Sequence, residues 1–168
     1  MCQRHGSKLI KVVFCTAVPT DDEGKRDRHN TYNSALRAMG VTVLKGHHIT
    51  NPRTGLRTEK QSDINVALSL MMDAEDGLFH CAYLVSADSD QGATARFFRE
   101  RHPEKKLYGV APPNQSVPHK VIDHADDHFA LSKLEIETCV MPMLVPGKNR
   151  SPNPSPRRLC PASGLGSS

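Results

Sequence analysis

The residues best equipped for chemistry lie in one short stretch, His80 to Asp90, which reads HCAYLVSADSD. Asp88 and Asp90 stand one residue apart, just past the apolar run Cys81-Ala82-Tyr83-Leu84-Val85. That run has the length and the side-chain types of a strand covered on both faces. An amphipathic helical pattern begins straight after it. Carboxylates at the carboxyl end of such a strand sit in the crevice where open α/β sheets bind ligands. A pair of them suits a hard divalent cation, because Mg²⁺ takes oxygen ligands and commonly uses one or two carboxylates. The plain alternative is that Asp88 or Asp90 only caps the next helix, since Asp is a favoured N-cap.

A third acid belongs to the same chemistry if the fold brings it there. Asp63 opens the apolar stripe Ile64, Ala67, Leu68 and Met71, so it falls in the first turn of a helix. The helix dipole favours a carboxylate at that position with no other role. A helix start beside the strand ends would also place Asp63 near Asp88 and Asp90. Glu59 and Lys60 lie close by in the chain, either as neighbours of the site or as surface charges. The histidines are weaker candidates. His47 and His48 are adjacent on a strand and point to opposite faces. His124 and His128 have the i, i+4 spacing of a zinc pair only if one helix carries both.

Positioning these residues takes an alternation of strands and helices. Leu9–Ala17 reads as a strand, and a helix follows from about Lys25 to Met39, closed by Gly40 as its C′ residue. Val41–Leu44 is a second strand, and Asn51–Gly55 is a turn-rich loop. The helix after Asp63 is apolar around most of its girth, which predicts deep packing. Gly92–His102 is a helix with Ala93, Phe97 and Phe98 inward, leaving Arg96, Arg99 and Arg101 for solvent or a phosphate backbone. Leu107–Ala111 is a strand, Ser116–Ala125 a short helix, Phe129–Leu131 an edge strand and Leu134–Met143 a last helix. Residues 1–8 form a short extension, 9–143 the domain, and 144–168 a Pro/Ser/Arg-rich tail without periodicity, expected to be disordered.

Composition narrows the function classes. The net charge of +4 belongs to the tail: past Leu144 the chain has Lys148, Arg150, Arg157, Arg158 and no acid, leaving 18 basic against 18 acidic residues before it. Global charge is therefore weak evidence for a polyanion partner. No apolar run approaches the roughly 20 residues of a membrane span, and no secretory h-region follows the start. Cys2, Cys15, Cys81, Cys139 and Cys160 are scattered without a C-x-x-C pair, which suits reduced, buried thiols in the cytoplasm.

The order of elements is that of an α/β protein with a mainly parallel sheet. Within it, Phe14-Cys15-Thr16-Ala17, Glu59-Lys60-Gln61-Ser62-Asp63 and Leu84-Val85-Ser86-Ala87-Asp88-Ser89-Asp90 together resemble the NYN domain family. This is the bacterial, LabA-type branch of the PIN-like metal-dependent ribonucleases. Gly109-Val110-Ala111-Pro112-Pro113 and Ala125-Asp126 look like later segments of that family, and the likeness runs from about Leu9 to about Leu134. The resemblance implies a PIN-like three-layer α/β/α fold and hydrolysis of RNA phosphodiester bonds with Mg²⁺ or Mn²⁺. Asp63, Asp88 and Asp90 match three of its acidic metal-binding, catalytic positions. Lys60, Arg28 and Arg96 are the candidates for gripping the RNA backbone.

RNA, taken as single-stranded, is the expected partner; no membrane partner is expected, and a homodimer stays open. The family begins with a strand carrying its first acidic ligand in a D-G-x-N pattern, central in its sheet, and that strand is expected to be missing here. Ala87 stands where the family's G-D-S-D motif has Gly. A catalytically silent RNA- or protein-binding scaffold is the reading that these departures favour. A different D-x-D phosphate-processing enzyme, such as an aspartyl phosphatase, would carry its motif on the first strand and ranks last.

Overall fold

The computed structural model of the chain describes residues 2–19, 22–50, 57–142, 144–146 and 152–154; the side chains at 2–3, 47–50, 57–60, 144, 146 and 152–154 lie outside the description. Strands and helices alternate as the sequence predicts, apart from two antiparallel strand pairs that it does not. In order they are β1 (Val13–Ala17), α1 (Glu23–Ala38), β2 (Thr42–Thr50), β3 (Arg57–Lys60), α2 (Ser62–Glu75), β4 (Cys81–Val85) and α3 (Gln91–Arg101), then β5 (Lys106–Ala111), α4 (His119–Ile122), β6 (Asp127–Ala130), α5 (Lys133–Thr138), β7 (Leu144–Pro146) and β8 (Pro152–Pro154). The class is α/β, with short, mainly parallel sheets and alternating helices, an arrangement that fits three α/β/α layers.

Among the described residues up to Ala130, pairing runs in two sets where the alternation predicts one sheet. β1 pairs with β2 in parallel, and β3 returns antiparallel to β2. β4, β5 and β6 form the second, all-parallel set. β1 and β4 each end their set. The helix α2 bridges the two: it packs on β1 and β2, while its Ala74 joins a core cluster with Leu84 of β4 and Ala95 and Phe98 of α3. The polar stretch at 57–60 has no strand signal of its own. It becomes β3 because β2 continues to Thr50, well past the apolar segment, and offers it a ladder.

Local chemistry sets the element ends. The Asp22 carboxylate accepts from the Lys25 N–H at 2.9 Å and caps α1. At its other end Gly40 takes φ +88°, a conformation that a side chain disfavours. A Cβ on Gly92 would lie 2.4 Å from the Lys120 Cβ and 3.2 Å from its carbonyl, so a bare backbone is what lets α4 close on α3.

Three packing expectations are corrected. Phe98 is fully buried, but Phe97 is 53% exposed and Ala93 also faces out; the inward face of α3 is Gln91, Thr94, Ala95 and Phe98, three to four residues apart. The α2 helix is not deeply packed all round. Ile64, Leu68 and Met72, spaced by four, form an exposed row, because the strands and α3 occupy only its other face. The thiols are only partly shielded, with Cys15 and Cys81 half-buried and Cys139 exposed.

The chain ends behave differently from a plain extension and tail. His5 stacks on Tyr108 with ring centroids 4.0 Å apart, and Arg4 lies over the Phe129 ring, so the N-terminal segment covers the second sheet. Leu144–Pro146 and Pro152–Pro154 pair antiparallel within the predicted tail, and Val145 is buried; 147–151 and 155–168 lie outside the described residues.

Two carboxylates tie these pieces together and make the fold acid-sensitive. Partial burial raises the Asp126 pKa, but hydrogen bonds from Lys106, the Leu107 N–H and Arg99 outweigh it and hold the group below the ordinary Asp value. Glu135 is held at about 2, by the Ser132 N–H first, then the Ser132 hydroxyl and Arg4. Both folded-state pKa values are depressed, so the stabilisation is present above the ordinary carboxylate range and lost as pH falls through it. Asp126→Asn is expected to cost about 2 kcal/mol at neutral pH, as for bonds to charged groups. In urea melts that gap to wild type should shrink below about pH 4; a gap independent of pH would contradict it.

Candidate active site

The strand β4 ends at Val85, and the next turn is built from its own side chains. Ser86 Oγ accepts from the Asp88 N–H at 3.0 Å, and Asp88 Oδ1 accepts from the Asp90 N–H at 2.9 Å. Asp90 holds the N-cap position of α3 but makes no side-chain capping bond. Capping therefore does not account for this pair: Asp88 spends one oxygen on the turn, and Asp90 spends none. Both residues are exposed, and their remaining oxygens meet no protein donor among the described residues.

Asp63 does fall in the first turn of α2, as its position in the sequence predicts. Its Oδ1 accepts from Gln91 Nε2 at 3.2 Å. Its charge also reaches β1: the Cys15 thiol is pushed up by burial first and by Asp63 second. Asp63 thus lies near the middle of β1, and Gln91, the residue after Asp90, links it to the Asp88–Asp90 turn.

The three acids do not form a closed cage. No group of three His, Cys, Asp or Glu side chains placed to hold a metal ion occurs among the described residues. A structural metal site, with its full protein ligand set, does not fit. A hydrated Mg²⁺ or Mn²⁺ does, because such an ion keeps several waters and uses one or two carboxylates together with a substrate phosphate. The donor set agrees, being oxygen-only at Asp88 and Asp90. Two buried atoms, Oγ of Ser62 and Oε1 of the Asp63 partner Gln91, also leave hydrogen bonds for an ordered water to complete.

Two shallow openings flank this turn. One, of about 690 Å³, runs between Ser86, Asp88 and Ser89 on one side and Pro112, Gln115 and Ser116 on the other. It lies at the carboxyl ends of β4 and β5, the usual ligand side of parallel strands. The second, of about 510 Å³, shares Ser89 with the first and adds Asp90, Arg96, Lys120, Asp123 and His124.

The predicted backbone-gripping residues separate here. Arg96 lines the second opening, lying over the Phe97 ring and 3.5 Å from Glu100. Arg28 is exposed on α1 and feels Asp22; no contact joins it to the Asp88–Asp90 turn among the described residues. Lys60 stands on β3 opposite His47, and its side chain lies outside the described residues, as do those of His47 and His48. His124 follows α4 while His128 is on β6, so no helix holds them as a zinc pair. Arg99 is structural, donating to the His124 carbonyl and to Asp126. Sequence reasoning missed Gln91 and Lys120. Gln91 had one signal: a polar residue at the first position of the inward face of α3.

No family model and no curated protein matches the chain. Its fold marks it as an α/β protein with an opening at the carboxyl ends of parallel strands. Among solved structures it is similar to a protein of unknown function from Vibrio parahaemolyticus, with 23% identity and a TM-score of 0.55, over 76% of this chain and 72% of that one. That likeness concerns the fold. No helix among the described residues is long and apolar enough to cross a membrane.

Proposed function

We propose that the chain is a domain of the metal-dependent ribonuclease type, in which Asp63, Asp88 and Asp90 act on an RNA phosphodiester with Mg²⁺ or Mn²⁺. The observation that carries this reading is the turn after β4, where Asp88 lines one opening, Asp90 lines the adjoining one, and Gln91 links the turn to Asp63. The NYN-like order of the motifs agrees with it. When bound, the ion supplies charge neutralisation at the phosphate and activation of the attacking water.

The protein's own part is placement. Asp88 and Asp90, both exposed, would hold the ion. The openness of the cleft suits a flexible strand, and single-stranded RNA is the substrate class. Arg96 and Lys120 in the adjoining opening meet the next backbone phosphates, contacts that position a strand without reading its sequence. The free thiols of Cys15, Cys81 and Cys139 suit the cytoplasm.

One observation favours a second reading, a silent RNA-binding scaffold: the acids do not close into a three-ligand cage among the described residues. End-labelled single-stranded RNA incubated with Mn²⁺, with Mg²⁺ and with EDTA separates the two. Metal-dependent cleavage supports the ribonuclease. Retention of intact RNA regardless of EDTA supports the scaffold, and neither cleavage nor retention overturns both.

A further inference from the structure

Gln91 is 2% exposed at the first position of α3, an unusual place for a primary amide. Gly92, Thr94 and Ala95 of the same helix are buried with it. The amide has two donors and an acceptor oxygen to satisfy. Nε2 donates to Asp63 Oδ1 at 3.2 Å, across 28 residues of chain. The opposite orientation would set the amide oxygen against a carboxylate, so this contact fixes which way the amide lies. Oε1 is then left buried without a donor, and so is the hydroxyl of Ser62, the residue preceding Asp63. Buried polar atoms without a partner are places where an ordered water completes the hydrogen bonding.

We infer that Gln91 is a positioning residue: through its Nε2–H it holds the Asp63 carboxylate beside the Asp88–Asp90 turn. This rests on the ribonuclease-type reading of that site. Outer hydrogen-bond partners of metal-binding groups act in this way, fixing the direction in which a carboxylate offers its lone pairs. The neighbouring burial supports the role, since a side chain locked in the core cannot swing away as an exposed one does.

The test is Mn²⁺ titration of the full chain by calorimetry, with thermal melts of each variant. Gln91→Leu is expected to weaken Mn²⁺ binding by about 10- to 100-fold with little change in melting midpoint, because the one hydrogen bond lost to Asp63 is offset by removal of a buried, unpartnered carbonyl oxygen. Gln91→Asn, one methylene shorter, should weaken it as well. Adding Asp63→Glu, one methylene longer, should return affinity toward wild type; a merely structural glutamine gives no such recovery. Should Gln91→Leu fail to fold, the Asn variant and its double decide. Wild-type affinity in both single variants, with Asp88→Asn still impaired, overturns the role of Gln91 and leaves the cleft reading standing. Absence of Mn²⁺ binding in the wild-type chain overturns that reading and this inference together.

Discussion

Asp88→Asn and Asp90→Asn should each abolish metal-dependent RNA cleavage while leaving the melting curve near wild type. Both side chains are exposed, and neither takes part in an ion pair among the described residues. An amide keeps the shape but loses the charge, and it puts a donor where a cation would sit. Losing several kcal/mol of charge stabilisation, at about 1.4 kcal/mol per decade, lowers the rate on the order of 10³-fold. The two variants also differ in a way the turn predicts. Asp88 Oδ1 receives the Asp90 N–H, a bond that Asn can still accept, so the turn survives in both. Asp90 makes no such bond, so its substitution should be the quieter in stability. Cleavage at the wild-type rate in either variant would remove that carboxylate from the site.

The largest stability loss is expected at Phe98. Its ring is fully buried in the cluster formed with Ala74, Leu84, Leu107 and Val121, and it stacks on Phe79 at 6.1 Å between centroids. Phe98→Ala should cost about 3–5 kcal/mol through lost burial and the cavity left behind. For a domain of this size that is a fall in melting midpoint on the order of 10 °C. Phe97→Ala, at an exposed position, should cost under about 0.5 kcal/mol. Activity should follow Phe98 as well, because α3 begins at Gln91 and the Asp88–Asp90 turn leads straight into it. Equal effects of the two substitutions in thermal melts would contradict the packing of α3.

These two phenylalanines show how far the sequence speaks. Consecutive apolar residues leave a helix face ambiguous, and the neighbours of α3, not its own periodicity, turn Phe98 in and Phe97 out. The β4 strand and its acidic turn were legible because an apolar run breaks sharply into Ser-Ala-Asp-Ser-Asp. Asp63 was legible as a first-turn residue. Its link to Gln91 was not, since a hydrogen bond between residues far apart in the chain depends on how α2 crosses α3. The exposed row Ile64, Leu68 and Met72 looked like core for a related reason: apolarity reports what a residue tolerates, and coverage depends on what packs there. The polar stretch that becomes β3 had no pattern of its own and follows from the length of β2. The two-set strand pairing depends on which edges meet, information held in tertiary contacts.

In the proposed function these acids serve a hydrated cation together with an RNA phosphate. The most direct measurement is Mn²⁺ titration by calorimetry of the full chain, first alone and then with a short single-stranded RNA at low temperature. The account predicts weak binding alone, clear tightening when RNA is present, and loss of both in Asp88→Asn. Binding that is tight without RNA and unchanged by Asp88→Asn would contradict it, as would RNA binding that ignores Mn²⁺ altogether.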